Sequence, residues 1–399
     1  MSFRGAAAAL ALVAAGNPGS TPDGTPSPTA IRSWILRLGY AQLIRSLDAS
    51  TPWVWLIDHT IQIGSTKLFV ILGVRLDRVP FGVRALRSSD LQLVALVPME
   101  QSNRHRVDEE LQAAVARTGV PRQIVADGNR DLQDGITLFR GRNPRTRSVP
   151  DVAHAAANLL KHYWEKDDRW AAFTRRMSET AAKLRQTHSA HLLAPRLRNK
   201  ERFMSVGATV RFARIVLAKL SAPTACADAV RHYGWVAEFA DAVAAWSEQH
   251  ALVQAVLRQV RVEGHWARGV AEVESAWSAL ALSDNPVTAA LRTRLRVLVV
   301  QGSRGLEAGE RLVGSTEVLE SVLGIGKRLS GDQAGSGFTG LSVGLGAMLG
   351  ERTAAELAAD LDRVPAKAPE NWAKRTLGPT LQWLRKQFWN STKSVPVSG

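Results

Sequence analysis

The chain has 399 residues, 45% of them hydrophobic, and its 51 Lys+Arg against 36 Asp+Glu give a formal net charge of +15. That length calls for two or three domains, and the basic excess favours a polyanionic partner, nucleic acid before an anionic membrane. A single cysteine, Cys226, excludes an intrachain disulfide framework and a cysteine-rich zinc site, and it suits a reducing cytoplasm.

In chain order, residues 2–15 read as one Ala-rich helix. The run from Gly5 to Ala15 behind Arg4 also has the pattern of a short signal-peptide core, which is the alternative reading of this stretch. No segment reaches the roughly 18 apolar residues of a membrane span, so no membrane partner is expected. Residues 16–27 form a loop by composition, and residues 28–39 a second helix with Ser27 as N-cap, Pro28 in the first turn and Gly39 at the end. Ile31, Trp34, Ile35 and Leu38 make its apolar stripe. Arg32 and Arg37 point elsewhere: towards DNA if the two helices form a helix-turn-helix reader, or to solvent if the second helix simply packs on the main body.

From Trp53 the pattern changes. Residues 53–64, 67–76 and 91–98 are short and rich in Val, Ile and Leu, which predicts three neighbouring strands, the first two a hairpin through Gly64-Ser65-Thr66. Val107, Leu111 and Val115 mark a helix over 106–118 that ends at Gly119. A fourth strand follows at 122–126, a helix at 130–140, a fifth strand at 146–152 and a helix at 153–166. This order predicts a mixed α/β sheet with helices on its faces. From about 167 to 300 strand signals disappear, and Trp170, Trp235, Trp246, Trp266 and Trp277 read as packing between helices. The all-helical stretch is expected to interrupt the α/β domain as an insertion. A further helix starts near Ser315 with Glu317 in its first turn. The Gly-rich stretch 330–350 lacks the Lys and Ser/Thr of a phosphate-cradling loop. The expected segments are 1–48, 49–166, 167–305, 306–352 and a basic tail, 353–399.

Three acids stand out. Asp58 ends the apolar run Trp53-Val54-Trp55-Leu56-Ile57, Asp127 ends Arg122-Gln123-Ile124-Val125-Ala126, and Glu320 lies in the late helix with Lys327 seven residues on. A carboxylate at the end of a buried strand is costly unless neutralised. A hard divalent cation with oxygen ligands does this, and two such cations are the usual apparatus for phosphodiester chemistry. An Asp after an apolar run, taken alone, more often terminates a strand or caps a turn. Two of them inside this strand order are less ordinary. Glu317 competes with Glu320 for the third position, as does Glu165 if there is no insertion. Asp131 and Asp134 are further acidic candidates.

Ile57-Asp58-His59-Thr60, Val125-Ala126-Asp127-Gly128-Asn129 and Glu317-Val318-Leu319-Glu320-Ser321 with Lys327 resemble the DDE transposases of bacterial insertion sequences. The resemblance spans roughly residues 50–350. It implies an RNase H-like fold with a helical insertion, catalytic and metal-binding roles for Asp58, Asp127 and Glu320, and two Mg²⁺ ions that Mn²⁺ can replace. It further implies that Lys327 approaches the backbone of double-stranded DNA, at element ends and target, and that a homodimer works on that DNA in the cytoplasm. Asp151-Val152-Ala153-His154 resembles an Asp-x-x-His that several groups of this family carry after the fifth strand. Its two readings are a pair that positions DNA near the active site, or an ordinary N-cap by Asp151 with His154 in the first turn. Position 316 is Thr where some groups carry Arg, and the N-terminal region is short for a full end-recognition domain. A catalytically inactive DNA-binding copy and a structure-specific nuclease on the same fold are the alternatives to an active transposase.

Overall fold

Short runs of β-branched and aromatic residues bounded by turn formers settle into strands, and the longer Ala/Leu/Arg-rich runs into helices. The computed structural model describes residues 2–15, 24–63, 66–196, 202–222, 227–331, 340–379 and 381–391. Cys226, Gly64-Ser65, most of the 16–27 loop, Gly335, Gly337 and the end of the basic tail lie outside the described residues. In chain order the elements are α1 (Phe3–Ala15), α2 (Pro28–Ile44), β1 (Trp53–Ile63), β2 (Thr66–Arg75), β3 (Gln92–Met99), α3 (Arg104–Thr118), β4 (Gln123–Ala126), α4 (Arg130–Arg142), β5 (Arg147–Pro150) and α5 (Val152–Trp164). There follow α6 (Asp168–Leu184), α7 (Val206–Leu220), α8 (Ala227–Tyr233), α9 (Ala240–Val262), α10 (Gly269–Ser278), α11 (Pro286–Ser303), α12 (Glu317–Gly331), α13 (Ala354–Arg363), α14 (Ala368–Thr376) and α15 (Leu381–Ser391).

The chain divides into two units. The first comprises Met1–Pro80, Ala85–Val149 and Thr316–Gly399, and the second Phe81–Arg84 and Pro150–Ser315. The first unit holds a five-stranded sheet in the order β3-β2-β1-β4-β5. β1, β2 and β3 are antiparallel neighbours, while β4 runs parallel to β1. This mixed sheet with its flanking helices is RNase H-like. One face carries Trp53, Trp55, Ile57, Phe69, Ile71 and Ile124, packed with Val107 and Leu111 of α3 and Ile136 and Phe139 of α4. Burying a large apolar side chain contributes about 1.5–3 kcal/mol, so this layer is a main source of the unit's stability.

Two expectations about α2 need correction. It does not stop at Gly39 but continues to Ile44, and Trp34 is 39% exposed rather than part of the buried stripe. The buried side instead carries Ile31, Leu36, Gly39 and Gln42. The cause is a close crossing with the 3-10 stretch Gly340–Met348, also in the first unit. A Cβ on Gly39 would sit 2.0 Å from the Val343 carbonyl oxygen, and one on Gly346 2.6 Å from the Gly39 carbonyl oxygen. Glycine therefore serves here for close backbone approach, not as a helix stop. The expected N-cap does form, with Ser27 Oγ accepting the Ala30 N–H at 3.1 Å.

The second unit is helical, built around an aromatic cluster. Trp164, Trp170, Phe173 and Trp246 are buried together, with the Trp164 and Trp170 centroids 4.6 Å apart and those of Trp170 and Trp246 4.9 Å apart. Trp277 is buried as well, and its Nε1 donates to the Leu252 carbonyl at 3.1 Å. Trp235 and Trp266 are half-buried at the margin.

Candidate active site

The parallel pairing of β1 with β4 sets Ile57 beside Ala126. The next residue on each chain segment is an aspartate, so Asp58 lies beside Asp127: Asp127 directly follows the end of β4, whereas Asp58 sits midway along β1, opposite Val70 of β2, and not at the strand end that the sequence suggests. Side-chain alternation carries both away from the face that holds Ile57 and Ala126. Both aspartates are half-buried. Asp58 Oδ1 accepts the His59 N–H at 2.6 Å, and Asp127 Oδ1 accepts the Asn129 N–H at 2.9 Å. The turn after β4 is tied further by Gln133 Nε2, which donates to the Asp127 carbonyl at 2.6 Å. Asn129 caps α4 by accepting the Asp131 N–H at 3.0 Å. Among the described residues Asp127 forms no ion pair, and its Oδ2 takes no protein donor.

His59 follows Asp58 on β1, and its environment is informative. Its Nε2 lies 3.0 Å from Ser102 Oγ, and its ring centroid lies 5.5 Å from that of Phe69. Burial pushes the imidazole down to about 4, Lys67 adds to that shift, and Asp127 and Asp131 oppose it. The ring is therefore neutral at neutral pH and supplies no positive charge to the aspartates beside it. The sequence placed His59 next to Asp58, but Lys67 joins this neighbourhood through the pairing of β2 with β1, and Ser102 through the loop that follows β3.

The carboxylate pair thus has one firmly oriented oxygen on each residue and an all-oxygen donor set. Such donors suit a hard divalent cation. α12 packs against β1 in the same unit and buries Leu319, Val322 and Leu323. Glu317 and Glu320 both lie in its first turn and are half-buried, where the positive end of the helix dipole also favours carboxylates. Lys327, seven residues beyond Glu320, lies on the same helix face and is exposed.

The other expected site residues are used differently. Arg37 Nε donates to the Val364 carbonyl at 2.7 Å, and its guanidinium also donates to the Leu361 carbonyl, so it closes the end of α13. Arg32 pairs with Glu370 at 3.7 Å. Asp134 pairs with Arg130 at 3.6 Å. Asp151 and His154 belong to the second unit. Asp151 caps α5, accepting the Ala153 N–H at 2.7 Å, and its other oxygen lies 3.0 Å from His154 Nδ1. Glu165 is exposed at the C-cap of α5, also in the second unit.

Among the described residues no helix is long and apolar enough to cross a membrane. No protein-family profile matches the chain, and no curated protein matches it. A solved structure, a Drosophila P element transposase strand transfer complex, is similar at 11% identity and a TM-score of 0.29, over 100% of this chain and 87% of that one. A likeness of that size carries no argument about this chain's chemistry.

Proposed function

We propose that the chain is a DDE-type DNA transposase. It cleaves DNA at the ends of an insertion sequence and joins the freed 3′-hydroxyl to target DNA. The observation that supports this is the pair Asp58 and Asp127, side by side where β4 ends against the middle of β1 in an RNase H-like sheet, with Asp127 lacking any ion-pair partner among the described residues. Glu320 on α12 is the third carboxylate, and the helical stretch before it is an insertion in the catalytic domain. Two Mg²⁺ ions, replaceable by Mn²⁺, supply charge neutralisation at the attacking and leaving oxygens when bound.

The chain's own residues do the rest. Asp58 and Asp127 present oriented oxygens, and the backbone N–H groups of His59 and Asn129 hold them. A neutral His59 leaves their negative charge available to cations. Lys327 meets the DNA backbone. The working form on double-stranded DNA is a homodimer, in the cytoplasm.

The test uses the purified chain, Mg²⁺ or Mn²⁺, and duplexes from the DNA flanking its coding region. Wild type is expected to nick and then join. Asp58→Asn and Asp127→Asn are expected to lose cleavage by about a thousandfold or more while still binding duplex. Unchanged cutting by either variant would sink the assignment. Cutting without joining would point to a nuclease on the same fold.

A further inference from the structure

Most described arginines of the second unit that have a neighbouring acid are neutralised by it. Arg169 pairs with Asp241 at 2.6 Å, Arg176 with Glu238 at 2.6 Å, Arg231 with Asp228 at 2.9 Å and Arg296 with Glu274 at 2.5 Å, and Arg311 pairs with Glu263. Arg175, Arg185, Arg258, Arg268 and Arg294 are exposed and form no ion pair among the described residues, and α7 concentrates three such cations on one helix. Its sequence, Val-Gly-Ala-Thr-Val-Arg-Phe-Ala-Arg-Ile-Val-Leu-Ala-Lys-Leu, carries three cations and no acid. Arg211, Arg214 and Lys219 are all exposed, and none of them forms an ion pair or hydrogen bond among the described residues.

Helix geometry puts the three on one side. At 3.6 residues per turn, positions 211, 214 and 219 fall within an arc of about 140°, and they span about 12 Å along the axis. The opposite side fixes the direction of that face, because Val206, Thr209, Val210, Ala213 and Val216 are buried in the unit's core. Phe212 adds an edge-on contact with Tyr233 at 5.2 Å. Glu248 lines the same cleft as Arg214 but accepts the backbone N–H and Oγ–H of Ser283 at 3.1 and 2.7 Å. Ile215, 49% exposed, sits among the cations.

Three exposed cations on one rigid helix face make a positive strip whose complement is a polyanion. About 12 Å of axis covers three to four base pairs at 3.4 Å each. We infer that α7 is a phosphate-backbone contact of the helical unit, gripping duplex DNA without reading its sequence through Arg211, Arg214 and Lys219. The inference rests on the DNA reading above and assigns part of the binding to this unit.

The test compares full-length wild type with the triple variant Arg211→Gln, Arg214→Gln, Lys219→Gln, binding a random-sequence duplex across 50–200 mM salt. A control, Arg169→Gln, Arg176→Gln, Arg296→Gln, removes the same formal charge from paired positions. Loss of three phosphate contacts should lower the slope of log affinity against log salt by about 2.7, and affinity at 0.15 M salt by about a hundredfold. The control should change both far less. Arg211→Lys with Arg214→Lys keeps the charge and should keep the slope, which separates lost contacts from misfolding. An unchanged slope in the Gln triple, or an equal drop in the control, overturns the inference while leaving the transposase reading intact. Failure of wild type to bind duplex at 50 mM salt overturns both. If the triple instead loses only binding to phosphatidylserine vesicles, the face serves a membrane and the inference fails.

Discussion

Both units pair acids with arginines, Asp108 with Arg142 and Asp360 with Arg363 in the sheet unit and Asp241 with Arg169 in the helical one, but the sheet unit also sets two aspartates beside each other. In the sheet unit, backbone pairing alone brings Asp58, midway along β1, beside Asp127 at the end of β4, and Asp127 is left without a cation partner among the described residues. In the helical unit, acids at Asp228, Glu238, Asp241, Glu263 and Glu274 each meet an arginine, and the interior is filled by aromatics packed mostly at tilted and edge-on angles. Some polar atoms of that interior have no hydrogen-bond partner, Trp170 Nε1 among them, and the titratable case is His265: 1% exposed, with both ring nitrogens lacking a partner. The difference teaches where chemistry and scaffolding are separated. An uncompensated carboxylate at a strand end is tolerated because strand pairing holds it at an edge reached by solvent. A helical core has no such edge, so its polar groups are paired or kept neutral.

The sharpest way to break this comparison is on α12. If α12 supplies the third carboxylate, Glu320→Gln should reduce metal-dependent cleavage about a thousandfold. Glu317→Gln should cost less than tenfold, since Glu317 is not the proposed metal ligand. A reversed order, measured by single-turnover cleavage, would move the third carboxylate to Glu317.

A second test concerns His265 in the helical unit. Burial pushes its imidazole down to about 4 from an ordinary 6.5. The folded pKa lies below the unfolded one, so the neutral ring contributes full stability above about 6.5. That contribution falls as pH drops through 6.5 towards 4, and it levels off below that. The loss is on the order of 3 kcal/mol. Urea unfolding of wild type against His265→Leu between pH 7.5 and 4 should show wild type losing ground to the variant across that window. Parallel curves would mean that His265 is hydrated or paired in solution.

A smaller effect probes packing in the sheet unit. Gly39→Ala forces a methyl group against the Val343 carbonyl, which belongs to backbone and cannot rotate away. It should destabilise by about 1–3 kcal/mol, read as a lowered urea midpoint, despite the better helix propensity of alanine. A stabilised variant would show that the crossing of α2 with Gly340–Met348 is looser than its geometry indicates.

Much of this was legible in sequence because it is local. Two- and 3.6-residue periodicities placed the five strands and the helices between them, and Ser27 and Asp151 announced their capping roles by residue type and position. Asp58 and Asp127 could be singled out because each directly follows an apolar run. Tertiary structure alone decided the rest. That β4 lies parallel to β1, with Ile57 beside Ala126, depends on pairing between segments some 69 residues apart, which no local pattern encodes. The use of Arg37 to close α13, and of Gly39 as a crossing point, depends on partners more than 300 residues away. Local propensity names the element a residue joins. What its side chain meets is settled by long-range packing, where burial and hydrogen-bond satisfaction outweigh the weak preferences of any single residue.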